Sequence, residues 1–165
     1  MAVEGLAIRP AERQDVGLLL ELIGELAEYE RLADEAVGTE ELLSEHLFGE
    51  RPVAEAVIAE LGGEPVGFAI LFTTFSTFLA RPGIWVEDLF VRPEHRGGGV
   101  GAALLAHVAR LATERGCGRL EWAALDWNEP AHRFYRSLGA RHMKEWQTYR
   151  LEGDPLADLA RPDSG

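Results

Sequence analysis

The stretch Ile84–Arg115, IWVEDLFVRPEHRGGGVGAALLAHVARLATER, decides the fold of this chain. It opens with a largely apolar run, Ile84–Val91, which predicts a strand covered on both faces. Pro93 ends that strand, and a glycine-rich turn then leads into Gly101–Arg115, whose apolar residues recur at the spacing of one helical face. We therefore predict a strand, a turn and a helix in direct succession.

The turn is rich in glycine, with Gly97, Gly98, Gly99 and Gly101 in close sequence. A strand that passes through such a turn into a helix leaves backbone N–H groups unpaired, where the helix dipole also favours negative charge. This arrangement is typical of an anion site. Two nucleotide sites fit less well, because the third glycine and acidic strand end of a dinucleotide fingerprint are missing, as is the Gly-Lys-Ser/Thr of a P-loop.

Two carboxylates, Glu87 and Asp88, interrupt the apolar strand. Burying a polar group without a partner costs roughly 2–7 kcal/mol, and an ionised group costs more, so such side chains usually have a function. In a regular strand successive residues point to opposite faces, which would give the two carboxylates separate roles. The alternative for each is a structural carboxylate satisfied by a neighbouring backbone group or arginine.

The bulk composition predicts one domain over residues 1–153 and a polar, frayed C-terminal tail over residues 154–165. The net charge of −12 argues against nucleic acid or an anionic membrane surface as a partner, since either would require a basic footprint. Between Glu21 and Glu50 ten acidic residues stand against Arg31 alone. This charge favours a cationic substrate, although an acidic surface also serves solubility.

The single cysteine, Cys117, excludes an intrachain disulfide framework and predicts a reducing compartment. The first residues lack a cationic and apolar signal, and no run approaches the ~20 apolar residues of a membrane span. We therefore expect a cytoplasmic protein. The five histidines show no ligand spacing, so no metal is expected.

Periodicity and turn residues predict the remaining elements. The predicted strands are Leu6–Arg9, Val53–Leu61, Val66–Phe75, Arg119–Ala124 and Trp146–Leu151. The predicted helices are Glu12–Tyr29, Thr39 to about Leu47 and Pro130–Leu138. Hairpins in the first half and alternating helices in the second predict an α/β fold whose mixed, partly parallel central sheet has helices on both faces.

The run Arg96-Gly97-Gly98-Gly99-Val100-Gly101 is similar to the Arg/Gln-x-x-Gly-x-Gly/Ala signature of the GNAT N-acetyltransferase superfamily. A wider set of segments resembles the spermidine/spermine branch, with its diamine and thialysine relatives, over about residues 6–151. These segments are Glu25–Glu30, Val86–Phe90, Trp127–Pro130, Phe134-Tyr135 and Gly139-Ala140. The resemblance implies the GNAT (acyl-CoA N-acyltransferase) fold, acetyl-CoA as co-substrate, a small primary amine as acceptor and a homodimer.

The resemblance also implies two catalytic residues. Tyr135 matches the general acid that protonates the coenzyme A thiolate, a role that suits a phenol with a pKa near 10. Glu87 matches the base that deprotonates the amine, directly or through water. An aliphatic amine has a pKa near 10.4 and arrives as an unreactive ammonium, so a base is needed. The alternative for Tyr135 is packing on the core.

Further site residues follow from the same resemblance. The cofactor-binding set is Leu89, Phe90, Val91, Arg96, Gly97, Gly98, Gly99, Val100, Gly101, Ala102, Asn128 and Tyr135. The substrate-binding set is Tyr29, Glu30, Glu87, Asp88 and Trp146. For Leu89 and Val91 we expect backbone contacts with pantetheine at a splayed strand. Asn128 could instead be a helix cap, and Glu30 a solvated helix end.

Two other functions stay open at this point. The same fold can acetylate protein lysines or antibiotics, so the fold alone does not fix the acceptor. The chain is also shorter around His142–Glu145 than the spermidine enzymes, which bears on polyamine specificity. A non-catalytic acyl-CoA-binding sensor is the alternative from another class, although it would not need both Glu87 and Tyr135.

Overall fold

The computed structural model describes residues 2–162, and the chain divides into two compact units between Leu125 and Asp126. The first unit contains β1 (Leu6–Pro10), α1 (Val16–Tyr29), α2 (Glu40–Phe48), β2 (Glu55–Leu61), β3 (Glu64–Ser76), β4 (Arg81–Val91), α3 (Val100–Glu114) and β5 (Leu120–Trp122). The second unit contains α4 (Glu129–Ser137) and α5 (Gly153–Leu159). Short 3₁₀ turns occupy Arg13–Asp15, Ala33–Glu35 and Pro93–His95.

The first unit is built on a five-stranded sheet in the order β1-β2-β3-β4-β5. The pairs from β1 to β4 are antiparallel, and β4 pairs with β5 in parallel. Gly62 and Gly63 have positive φ values of 60° and 85°, which glycine adopts readily and which the tight turn between β2 and β3 requires. The mixed, partly parallel sheet and the β2–β3 hairpin predicted from the sequence are confirmed.

Helices cover both faces of this sheet. On one face Phe68 of β3 and Phe90 of β4 lie with their ring centroids 6.2 Å apart and pack in one cluster with Leu19 of α1. On the other face, a Cβ added to Gly67 would lie 3.4 Å from Leu104 Cδ1 of α3. Because neighbouring strand residues point to opposite faces, α1 and α3 lie on opposite sides of the sheet.

Local sequence signals explain where the first helices begin. Arg13–Asp15 forms a 3₁₀ turn, so α1 starts at Val16 rather than at the predicted Glu12. The Asp15 carboxylate accepts the Glu12 backbone N–H at 2.7 Å, which closes this turn. At α2 the Thr39 hydroxyl accepts the Leu42 N–H at 3.2 Å, the cap that the sequence predicts. Within residues 2–162 no helix is long and apolar enough to cross a membrane.

The C-terminal unit corrects two expectations. Residues 146–151 form no strand in the part of the chain described, and Trp146 and Tyr149 are 75% and 89% exposed. Their β propensity reflects packing against neighbouring strands, which these side chains lack here. The predicted frayed tail instead begins with α5, because Asp154 and Pro155 both suit the first turn of a helix.

Candidate active site

The glycine loop between β4 and α3 has the backbone geometry of an anion site. Gly97 and Gly99 have φ values of +80° and +93°, a left-handed conformation in which side chains are strained. Gly99 caps α3, and the first intrahelical bond runs from the Ala103 N–H to the Gly99 carbonyl at 3.0 Å. The N–H groups of Val100–Ala102 therefore precede the helical ladder and lie at the positive end of its dipole.

The space beside the backbone is open at Gly97 and Gly101, whereas a Cβ added to Gly99 would lie 3.3 Å from Val3 Cγ2. A Cβ added to Gly97 would meet no described atom within 4 Å, and one added to Gly101 would first meet Val91 Cγ2 at 3.7 Å. Phosphate oxygens can approach such a backbone closely and accept its N–H groups. At these two positions the loop therefore has the open backbone that a phosphate site requires.

Strands β4 and β5 separate beside this loop. Their parallel register runs from Ile84 opposite Leu120 to Val86 opposite Trp122, whereas β4 continues to Val91. The pairing of β4 with β5 therefore ends before Leu89 and Val91, the residues for which the sequence predicts backbone contacts with pantetheine. The Val91 carbonyl already accepts a hydrogen bond from Arg96 Nε at 2.8 Å.

The Arg96 side chain joins the loop to the end of α1. Its guanidinium carbon lies 4.4 Å from the Tyr29 ring centroid and 5.3 Å from that of Phe90, within cation–π range. Together with its bond to Val91, this contact places the motif arginine between the loop and the predicted substrate residue Tyr29.

A second arginine in the connection between β4 and α3, Arg92, binds side chains of α1. Sequence reasoning missed this residue. Arg92 donates to Glu25 Oε2 at 3.1 Å, to Glu21 Oε1 at 3.0 Å and to the Pro65 carbonyl at 3.0 Å. Glu21 and Glu25 are one helical turn apart and so share a face of α1. Two carboxylates of the acidic segment are thus ion-paired by an arginine from outside it.

Glu87 lies at an irregularity of β4. Ile70 of β3 faces Asp88 and Leu71 faces Val86, so Glu87 is an extra residue in a β-bulge. The regular alternation that would separate the roles of Glu87 and Asp88 is therefore interrupted at this point. Trp85 Nε1 donates to Glu87 Oε2 at 3.0 Å, a partner that sequence reasoning missed although the i, i+2 spacing on a strand could have indicated it.

Three carboxylates influence one another at this site. The pKa of Asp88 is raised to about 6, first by burial and then by the charges of Glu87 and Glu30. Burial and the Glu87 charge also raise the pKa of Glu30 above its usual value. Burial and the neighbouring negative charges both oppose ionisation of Asp88 and Glu30, and a cation beside these carboxylates would favour it. No group of three or more described His, Cys, Asp or Glu residues has a metal-binding arrangement.

The second unit holds the other predicted residues. Asn128 caps α4, where its Oδ1 accepts the Ala131 N–H at 3.4 Å. Asn128 is therefore a helix cap, the alternative that the sequence analysis left open. Tyr135 lies on α4 and is partly exposed, with its ring centroid 5.5 Å from that of Phe134. Trp146 lies beyond α4 in the segment without regular structure.

Comparison with known proteins agrees with this geometry. The Acetyltransferase (GNAT) family matches residues 20–140. A thialysine N-epsilon-acetyltransferase of Bos taurus is 40% identical, with 93% of this chain and 96% of that protein covered. An L-ornithine N5-acetyltransferase of Arabidopsis thaliana is 31% identical, with 90% and 85% covered. A solved integron cassette protein from the mobile metagenome of V. cholerae has a TM-score of 0.81 at 30% identity, with 96% and 99% covered.

The chain belongs to the GNAT family of acetyltransferases. The resemblance drawn from the glycine loop and the surrounding segments is thereby confirmed, together with the predicted fold class. The protein is an acetyl-CoA-dependent N-acetyltransferase.

Proposed function

We propose that the protein transfers the acetyl group of acetyl-CoA to a primary amine of a small cationic acceptor: a diamine, a polyamine or a lysine-like amino acid. The observation that carries this proposal is the cluster of three carboxylates, Glu30, Glu87 and Asp88, in which the Glu87 charge acts on both of the others. Two of these carboxylates lie on β4, the strand that leads into the phosphate-binding turn. The similarity to acetyltransferases named for thialysine and L-ornithine, both amino acids with a side-chain amine, supports the same acceptor class.

Acetyl-CoA binding is proposed to rest chiefly on the backbone. The pyrophosphate would accept N–H groups from the turn and the first residues of α3, and pantetheine would pair with the splayed end of β4. The residues concerned are Leu89, Phe90, Val91, Gly97, Gly98, Gly99, Val100, Gly101 and Ala102. Asn128 and Tyr135 are also proposed to bind acetyl-CoA, and Arg96 is proposed to hold the loop through its contact with Tyr29.

Glu87 is proposed to remove the proton of the incoming ammonium, directly or through a bound water. The Glu87 side chain is exposed, so the ammonium of an acceptor or a bridging water can reach its carboxylate. The free amine then attacks the thioester carbon in a ternary complex, so no acyl-enzyme is needed. Backbone N–H groups polarise the thioester carbonyl as charge develops on its oxygen.

Tyr135 is proposed to protonate the leaving coenzyme A thiolate. A phenol holds its proton at neutral pH, and it can donate that proton when the carbon–sulfur bond breaks. Tyr29, Glu30, Asp88 and Trp146 are proposed to line the acceptor site. A second ammonium on the acceptor would be stabilised by Glu30 and Asp88 while the first is deprotonated.

Coenzyme A release from acetyl-CoA in the presence of a diamine tests this function. The wild type should release thiol only when the amine is present, and Glu87→Gln should lower kcat by roughly 10²–10⁴-fold while cofactor affinity is retained. Equal rates with and without any amine of this class would contradict the proposal and favour an acyl-CoA-binding sensor. A lysine-containing peptide is tested in the same assay. Faster thiol release with the peptide than with the diamine would favour a protein-lysine acetyltransferase.

We further propose a cytoplasmic homodimer without a nucleic-acid or membrane partner. The net charge of −12 and the single cysteine support this environment. The exposed aromatic segment around Trp146 and Tyr149 supports a contact between copies, as does the resemblance to a dimeric branch. Light scattering at micromolar concentration should give about twice the mass of the chain, and the mass of one chain would contradict the dimer.

A further inference from the structure

The bulge of β4 gives Glu87 a neighbour that the proposed mechanism does not use. Trp85 lies between two paired strands, opposite Phe72 of β3 and Glu121 of β5, and is partly buried. Glu87 is exposed and, as the extra residue of the bulge, has no residue opposite it on β3. The indole is therefore the anchored partner in the bond from Nε1 to Glu87 Oε2 at 3.0 Å.

An exposed glutamate has three rotatable side-chain torsions and samples several rotamers. A bulge also changes the direction of the side chain it carries, so the strand alone does not fix where this carboxylate points. A donor on a partly buried ring restricts those rotamers and leaves one carboxylate oxygen unengaged by the indole. Restricting the rotamers of a catalytic base increases the reaction rate, because the rate of proton transfer falls steeply when the base is misplaced.

We propose that Trp85 is a positioning residue for Glu87, holding Oε2 so that Oε1 is presented to the acceptor amine or to its bridging water. This inference rests on the proposed function, in which Glu87 is the base. It assigns Trp85 no contact with acetyl-CoA or amine. Loss of the indole N–H should therefore slow the reaction without weakening the binding of either substrate.

The test is a double-mutant cycle between Trp85→Phe and Glu87→Gln, measured by coenzyme A release with a diamine. Trp85→Phe keeps an aromatic ring and removes the N–H. It should lower kcat by roughly 10-fold or more with Glu87 present, with the KM of the diamine and the Kd of acetyl-CoA changed by less than about 3-fold. In the Glu87→Gln background the same substitution should change kcat by less than about 3-fold, because the base is already absent.

Trp122→Phe is the matched control. Trp122 is another partly buried tryptophan and lies on the neighbouring strand β5, opposite Val86. Trp122→Phe should change kcat by the same factor in the wild type and in the Glu87→Gln variant. A Trp85→Phe variant that binds more weakly but turns over at the wild-type kcat would overturn the positioning role, as would additive effects in the cycle.

A spectroscopic measurement keeps the inference testable if Trp85→Phe is unstable. The chain has four tryptophans, so the ¹⁵N-labelled wild type should show four indole N–H signals. Glu87→Ala, which removes the acceptor, should shift the signal of Trp85 more than the others. That signal is assigned by its absence from Trp85→Phe or from a Trp85→Tyr variant. An unmoved Trp85 signal would overturn the hydrogen bond.

The kinetics separate failure of this inference from failure of the proposed function. If Glu87→Gln retains full kcat, Glu87 is not the base and the proposed function is wrong in this respect. If Glu87→Gln is slow but Trp85→Phe keeps the wild-type kcat, only the positioning role is wrong.

Discussion

Asp88 is the carboxylic acid whose ionisation the surrounding protein opposes most clearly. Burial and the charges of Glu87 and Glu30 raise its pKa from 3.8 to about 6. Below about pH 3 the side chain is protonated in both the folded and the unfolded chain. As the pH rises from about 4 to about 6 the unfolded chain loses this proton while the folded chain keeps it, so the free energy of unfolding falls over this interval.

Asp88→Asn removes that charge and should therefore stabilise the protein only at higher pH. A pKa shift of about two units corresponds to about 3 kcal/mol, so we expect a gain of about 1–3 kcal/mol at pH 8. Urea unfolding of both proteins at pH 4 and pH 8 measures the difference. A gain of equal size at the two pH values would show that the carboxylate charge is not its cause.

Tyr135→Phe tests the proposed acid by removing one hydroxyl group. The ring and its contact with Phe134 are kept, so the fold and the binding of acetyl-CoA should change little. We expect kcat to fall by roughly 10²–10⁴-fold, because the thiolate must then leave without a positioned proton donor. Steady-state kinetics and cofactor titration measure both quantities. A kcat within a few-fold of the wild type would indicate that Tyr135 only packs and that water protonates the thiolate.

At the scale of single residues the sequence identifies unusual side chains but not their partners. Glu87 and Asp88 could be predicted as candidates, because carboxylates are conspicuous in an apolar strand. Trp85 is two residues from Glu87 on the same strand, which indicates it as a partner, but the sequence does not show the β-bulge that sets the direction of the carboxylate. Arg92 was missed because its partners on α1 lie about 70 residues earlier in the chain.

The strand, turn and helix from Arg81 to Glu114 form the element on which binding depends. Gly101 lies in the first turn of α3 with ordinary helical geometry, unlike Gly99, whose positive φ would strain any replacement. Gly101→Asp should therefore leave the fold intact. It should weaken acetyl-CoA binding by roughly 100-fold or more, because it sets bulk and negative charge beside the proposed phosphate site.

Gly24→Asp provides a control for this substitution. Gly24 lies on α1, and a Cβ added there would meet no described atom within 4 Å. The same charge is thus added to a helical glycine outside the loop, and cofactor affinity should stay within a few-fold of the wild type. Calorimetric titration with acetyl-CoA compares the variants, and unchanged affinity in a folded Gly101→Asp would remove the phosphate site from this turn.

Elements were predicted well where a local pattern determines them and poorly where a distant partner does. The helical period of α3, the Thr39 cap and the glycines between β2 and β3 are all local signals, and each was confirmed. The segment 146–151 was wrongly predicted as a strand, since its aromatic and β-branched residues specify β structure only when another strand pairs with them. Element α5 was missed because seven residues show little periodicity.

Over the whole molecule, net charge and local charge have different consequences. The acidic excess between Glu21 and Glu50 is reduced at α1, where Arg92 pairs with Glu21 and Glu25. The negative charge that we propose acts on the acceptor is that of Glu30, Glu87 and Asp88. An acceptor with two cationic nitrogens can lose a proton from one nitrogen for attack, while the other stays charged and is attracted by these carboxylates. A monoamine loses its only positive charge when it is deprotonated.

The most direct measurement of this account is kcat/KM for coenzyme A release with amines of equal length, comparing diamines and lysine-like amino acids with monoamines. The series is run at low salt and at 1 M salt, where the Debye length falls to about 3 Å from about 10 Å at 0.1 M. Glu30→Gln is tested alongside. We predict that the dications are preferred at low salt and that both high salt and Glu30→Gln narrow the preference. Monoamines that match the dications at low salt, or a ratio that Glu30→Gln leaves unchanged, would contradict the account.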